Sequence, residues 1–307
     1  MCVSLRPAHF SKTKGLAAEV KRGRKVVHLL GYQNTVVNLA SEADFGWSRA
    51  GSSSGTGNAM LLPIPAKPGT VTEKNVIDTS SAPNILKDME RAILPPVSRG
   101  GLRRGGTLGK GLPDSVRVFD HDIYTVVLAD RAEDIPTALA RVPADKRPAI
   151  NKAIFEAYAR WYPGWTFALC CFNTRDEANA KPLLWWYEPQ HAQFLFFPAL
   201  DAHDGKVPNL SAQVDVDHAI MVGSYEMTDG KEVRYTDSSM SVELRKLLPM
   251  RVVGRQYNER MHNGDFLFRS ADVRGGKFIA KRELPPGADA PAPADQPRRV
   301  LRGRRSR

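Results

Sequence analysis

Cys2 is the residue best placed to do chemistry from its position alone. An initiator methionine is commonly removed before a small second residue, which leaves the cysteine with a free α-amine. Such an amine has a pKa of about 8. It can take the proton of its own side chain, which is the logic of an N-terminal nucleophile. The plainer alternative is an incidental cysteine on a leader segment. Cys170 and Cys171 lie in an apolar run and read as small buried hydrophobes. Vicinal cysteines pair poorly, because a disulfide wants Cα atoms about 5.5–6 Å apart. No CxxC or zinc-type spacing occurs.

Three of the seven histidines adjoin aspartate: Asp120-His121-Asp122, His203-Asp204 with Asp201 nearby, and Asp217-His218 with Asp215 nearby. Carboxylates and imidazoles are the ligands of hydrolytic metal sites. Neighbours in a strand point to opposite faces, however. Asp120 and Asp122 then share a face that His121 leaves, and Asp215 and Asp217 likewise part from His218. Only residues 200–206 read as a loop free of that limit, and no spacing matches a ligand motif such as HExxH. No metal and no cofactor is assigned. The stretch 100–111 holds six glycines yet fails as a phosphate loop: GxxxxGK[ST] would meet Arg104 at its first glycine and Gly111 at its hydroxyl position. Trp161, Trp165, Trp185, Trp186 and Tyr187 offer stacking faces for bases, against the commoner role of such rings in packing. Trp185 and Trp186 point to opposite faces of any strand.

Positive charge is concentrated rather than spread. Residues 12–25 hold six basic side chains against Glu19, a net of +5. Residues 97–114 hold Arg99, Arg103, Arg104 and Lys110 against Asp114, a net of +3. Residues 285–307 hold Arg298, Arg299, Arg302, Arg304, Arg305 and Arg307 against Asp289 and Asp295, a net of +4. The whole chain carries +11, so the remainder is close to neutral. This pattern points to an anionic partner, nucleic acid or an acidic protein. The candidate nucleic-acid contacts are the six tail arginines with Arg103, Arg104 and Lys110, since arginine grips phosphate oxygens bidentately. A solubilising tail is the alternative.

A chain of 307 residues, 42% hydrophobic and 25% charged, is ordinary for a globular protein. No apolar run approaches the roughly 18–20 residues of a membrane span. Arg6, His9, Lys12 and Lys14 interrupt the apolar run that a secretory signal needs. With three cysteines and no disulfide framework, a reducing, cytoplasmic setting is expected.

The elements follow from periodicity. Runs 25–30 and 35–40 about Gly31-Tyr32-Gln33-Asn34 read as a hairpin, and 58–65 as a strand stopped by Pro63 and Pro65. Helices are expected over 83–94, where Ile85, Leu86, Met89 and Ile93 share a face, and over 148–162, where Ile154, Ala157, Tyr158 and Trp161 recur at helical spacing. A short helix is expected near 134–140. Strands are expected over 115–128, 165–172, 182–187, 193–198, 214–222, 231–236, 251–257, 266–269 and 276–280. Strands outnumber helices and do not alternate with them. The expected fold is α+β, a mainly antiparallel sheet with two or three packed helices in a single large domain. It spans 25–284, with 1–24 a basic flexible leader, 97–114 a Gly/Arg-rich loop and 285–307 a disordered Pro/Ala linker with its Arg-rich tail.

Two resemblances touch parts of the chain. Met1-Cys2-Val3-Ser4-Leu5 resembles the opening of the bile-salt-hydrolase-like N-terminal nucleophile hydrolases, which implies a catalytic role for Cys2. The Gly-Arg-Asn segment of that class is missing further on, where 16–25 stand instead. Residues 25–200 resemble an uncharacterised bacterial domain family. Its features are an early hairpin at 36–40, a Leu-Pro-Val-Pro-type strand seen as Leu61-Leu62-Pro63-Ile64-Pro65, and a long strand over 117–128. A Tyr158…Gly164-Trp165 step follows, continued by Pro182-Leu183-Leu184 and Phe196-Phe197-Pro198. This resemblance implies a fold and no activity; members are often exported, and this chain lacks their signal. The reading is a non-enzymatic binding protein whose basic flanks contact an anionic partner such as nucleic acid, with no membrane contact. The alternative is an N-terminal-nucleophile cysteine hydrolase using Cys2.

Overall fold

The computed structural model of the chain describes residues 3–38, 57–94, 116–173 and 178–288. After β1 (Val3–Ser4), β2 (Ala8–Arg22) runs for 15 residues and turns through Gly23 into β3 (Lys25–Asn38). This corrects two expectations. The leader expected over 1–24 is a central strand, because Leu16, Ala17, Ala18 and Val20 between its lysines are all buried. The turn expected at 31–34 lies inside β3, where those four residues are buried as well. The hairpin instead turns at Gly23, whose φ of +63° lies in the left-handed region that glycine adopts without a Cβ penalty. Ser11 pairs with Thr35 but Lys14 pairs with Gln33, so β2 carries one extra residue near Lys12, at φ +54°. Such a bulge reverses the face that successive side chains occupy. It puts even-numbered Ala8 and Phe10 in the same core as odd-numbered Ala17.

β4 (Asn58–Ile64) and α1 (Ile85–Ile93) follow. The single strand expected over 115–128 is a hairpin, β5 (Val116–His121) and β6 (Tyr124–Ala129), turning at Asp122 with φ +55°. Next come α2 (Ile135–Ala138), α3 (Lys152–Trp161), β7 (Thr166–Phe172), β8 (Ala178–Asn179), β9 (Leu183–Tyr187) and β10 (Phe194–Phe197). The strand expected over 214–222 divides into β11 (Gln213–Val216) and β12 (Ala219–Ser224). The described chain closes with β13 (Lys231–Glu232), α4 (Val242–Lys246), β14 (Arg251–Gln256), β15 (Glu259–His262), β16 (Asp265–Arg269), α5 (Ser270–Arg274) and β17 (Lys281–Glu283). Residues 276–280 form no strand. The loop 97–114 lies outside the described residues, as does 289–307 of the expected tail.

The fold is α+β, mainly antiparallel and a single domain. One sheet has the order β1-β4-β7-β6-β5, and a seven-stranded sheet runs β13-β14-β12-β2-β3-β8 with β9 also on β3. Among the described ladders, β2 with β12 is parallel and the others are antiparallel. The two sheets face each other. Phe10, Ala17, Leu30 and Tyr32 meet Met60, Leu62, Tyr124, Val126, Ala168 and Phe172 in the layer between them. The far side of the five-stranded sheet is covered by Ile154, Phe155, Tyr158 and Trp161 of α3. The far side of the seven-stranded sheet is covered by Ile85, Leu86 and Met89 of α1 with Leu244 of α4. Alternating side chains thus feed two layers from each sheet. Gly15 is needed in β2 because a Cβ there would come within 2.4 Å of the Phe197 ring, itself stacked on Tyr32. Among the described residues no helix is long and apolar enough to cross a membrane.

Candidate anion-binding surface

Four strands meet in one row at one end of the seven-stranded sheet. Ser224 of β12, Glu19 of β2, His28 of β3 and Tyr187 of β9 are successive partners across it. There β12 and β9 stop pairing, while β2 and β3 continue through Val20–Val27, Lys21–Val26 and Arg22–Lys25 to the turn. Glu19 is fully buried in that row. Arg274 of α5 donates from Nε to its Oε2 and from Nη2 to its Oε1, both at 2.8 Å, and Ser224 Oγ donates to Oε2 at 3.1 Å. Burial pushes the Glu19 carboxyl up, but the Arg274 and serine hydrogen bonds outweigh it and hold the group below the usual carboxylate range. Beside it His28, also fully buried, meets the Tyr187 ring edge-on with centroids 5.7 Å apart. Burial holds its imidazole down at about 4, so it is neutral at physiological pH.

Past the row, every residue from Lys21 to Val26 is exposed. The Arg22 guanidinium lies 3.8 Å from the centroid of the Trp186 ring, and Lys21 Nζ lies 4.6 Å from that of Tyr225. Trp186 belongs to β9 and Tyr225 follows β12, so the two rings brace the hairpin from both flanks. Trp186 Nε1 donates to the Lys74 carbonyl at 3.2 Å, and the Lys67 backbone N–H donates to the Glu188 carbonyl at 2.9 Å. Both lysines are exposed beside the hairpin. Lys25 pairs with Glu188 and holds that carboxyl below its usual range. Arg24, at the turn, makes no ion pair among the described residues. Six cations are thus exposed on or beside the hairpin, with Glu188 paired to Lys25 on one flank and Glu226 beside Tyr225 on the other. With Glu19 sealed beneath by Arg274, this surface carries an excess of positive charge.

Cys2, Arg103, Arg104, Lys110, Arg298, Arg299, Arg302, Arg304, Arg305 and Arg307 all lie outside the described residues. The surface above comes instead from 12–25, whose charge is plain in the sequence and whose shape is not. Its signal is Lys21-Arg22-Gly23-Arg24-Lys25, cations placed symmetrically about a glycine that can turn a hairpin. Cys170 and Cys171 are fully buried and neither is in a disulfide; burial pushes the Cys171 thiol up to about 12. Trp161, Trp165 and Trp185 pack in the core, and Trp186 reaches the surface beneath Arg22.

Two of the three Asp–His segments come together. His203 Nε2 lies 3.1 Å from Asp201 Oδ1, off the line that a hydrogen bond requires, and His218 Nδ1 lies 3.1 Å from Asp217 Oδ1. Asp217 acts electrostatically on both Asp201 and His203. Burial raises Asp201 to about 6 and holds His203 and His218 at about 3, so both imidazoles are neutral. The third segment is elsewhere, with His121 Nε2 3.2 Å from the Pro182 carbonyl. Among the described residues no group of three or more His, Cys, Asp or Glu side chains is disposed to hold a metal ion. The cluster does receive the start of the described chain. Val3 is buried and bridges Ala202, between Asp201 and His203, while the Ala8 N–H donates to the His203 carbonyl at 3.0 Å.

No family model matches the chain, and no curated protein matches it. Among solved structures it is similar to baculovirus P35, at 15% identity and a TM-score of 0.41, over 89% of this chain and 92% of that one. A mutated baculovirus P35 after caspase cleavage, solved at 2.7 Å, matches at 12% identity and a TM-score of 0.36, over 88% and 99% of the two chains. A second such structure, at 3.1 Å, matches at 12% and 0.33, over 69% and 66%. At these scores the likeness says nothing about a site or a partner.

Arg274→Ala is expected to destabilise the fold by about 3 kcal/mol at neutral pH, the low end for stripping one partner from a buried pair, since Arg274 is itself 42% exposed. Glu19 titrates lower in the folded chain than in the unfolded one, so its contribution is present above the unfolded value of 4.5 and is lost as pH falls through the folded one. Urea unfolding across pH should therefore show the gap between the two proteins narrowing as pH falls, the buried carboxyl of the variant taking up its proton before that of the parent. A gap independent of pH would contradict this role for the pair.

Proposed function

We propose that this chain is a non-enzymatic binding protein that contacts an anionic partner, nucleic acid in particular, through its basic surfaces. The observation that carries the reading is the hairpin of β2 and β3, which presents Lys21, Arg22, Arg24 and Lys25 beyond the sheet with Lys67 and Lys74 alongside. Arg103, Arg104 and Lys110 in one segment and Arg298, Arg299, Arg302, Arg304, Arg305 and Arg307 in another add charge of the same sign. An acidic protein would satisfy the same charges, but phosphate suits the arginine-rich composition better. A cytoplasmic, reducing setting fits Cys170 and Cys171, adjacent thiols outside any disulfide.

A cysteine hydrolase using Cys2 stays as a second reading on one observation: Val3, the next residue, is built into the body beside Asp201 and His203. That reading requires a processed terminus, so an intact mass that retains Met1 would remove it.

Deleting residues 289–307 is expected to weaken binding to a mixed-sequence nucleic acid and to flatten the dependence of log K on log salt, because fewer counterions are released. Fluorescence anisotropy over a salt series measures both. Unchanged affinity and slope would refute a role for the tail arginines.

A further inference from the structure

The hairpin of β2 and β3 has a size and stiffness as well as a charge. Past the buried Val20–Val27 pair it projects by two residue pairs and the turn, about 7 Å at the usual strand rise. B-form DNA has a major groove about 12 Å wide and 8.5 Å deep, which admits a two-stranded β-ribbon. We propose that this hairpin tip enters the major groove of double-helical DNA, with Arg24 at the base edges and Lys21, Arg22, Lys25, Lys67 and Lys74 toward the flanking phosphates. The proposal rests on the nucleic-acid reading above and specifies the form of nucleic acid.

Three observations favour a duplex over a single strand. Stacking of unpaired bases needs an open aromatic face, and the Trp186 face is already covered by Arg22 at 3.8 Å. The tip is rigid at its root, where Glu19 is clamped by Arg274 through two 2.8 Å hydrogen bonds. A pre-set ribbon suits a groove of fixed width, whereas a flexible strand calls for an open channel. Arg24, exposed at the apex with no ion pair among the described residues, is the side chain placed to reach deepest. Arginine at that depth matches the O6 and N7 acceptors of guanine. Duplex RNA is a natural counter-test, because its A-form major groove is too deep and narrow for side chains to read.

The experiment uses the full chain with three labelled probes of matched length: a DNA duplex, the same sequence as single-stranded DNA, and an RNA duplex. The DNA duplex is expected to bind tightest. Arg24→Ala should weaken it about tenfold, as expected when one good base-edge hydrogen-bond pair is removed, and leave the RNA duplex unaffected. Dimethyl sulfate should find guanine N7 protected by the parent protein and exposed again with Arg24→Ala. Equal binding of all three probes, or tightest binding of the single strand, with N7 unprotected would overturn groove entry and leave the anionic-partner reading standing. Binding of none would overturn both.

Discussion

The buried carboxylate of Glu19 is the constraint on which the charged end of the molecule depends. A lone carboxylate buried beneath α5 would cost several kcal/mol. Arg274 reaches it from α5 with both forks of its guanidinium, and Ser224 adds a third donor from β12. The carboxylate therefore joins a strand, a neighbouring strand and a helix at the level where the sheet ends. Beyond that level β2 and β3 pair with no other strand among the described residues, and Trp186 and Tyr225 flank them as they leave the sheet. Without the pair, the root of the hairpin would hold an unpaired charge, and the tip cations would lose a defined direction.

The same arrangement sorts the lysines and arginines of 12–25. Lys14 lies within the body, 8% exposed, and is paired with Glu90 at 3.4 Å. Lys12 sits at the bulge, where its N–H donates to Asp217 at 3.3 Å. Only the four cations past Glu19 face solvent together, two of them braced on Trp186 and Tyr225. Bracing lowers the entropy lost when a long side chain is fixed against a partner. A basic segment that reads as one feature thus divides into structural charges and presented ones.

Much of the fold was legible in the sequence. Thr166–Phe172, Leu183–Tyr187 and Arg251–Gln256 are short β-forming runs ended by turn residues, and α1 and α3 carry clear helical faces. β2 was not legible, because what makes it a strand is remote: its acid is matched by Arg274 far along the chain, and its neighbour β12 comes equally late. Gly31 to Asn34 look like a turn for the same reason, since burial within the seven-stranded sheet overrides local turn propensity. At the site, the charge was legible and the geometry was not, because the tip is defined by where β9 and β12 stop. The meeting of Asp201 and His203 with Asp217 and His218 depends on tertiary contact in the same way.

The most direct measurement is the salt dependence of DNA-duplex binding for a chain in which Lys21, Arg22, Arg24 and Lys25 are all changed to glutamine while the tail arginines are kept. For every phosphate that is no longer neutralised, the slope of log K against log salt becomes shallower by about 0.9. The hairpin account expects the slope to fall by about 3 and the affinity to drop with it. A slope and affinity equal to those of the parent chain would contradict it.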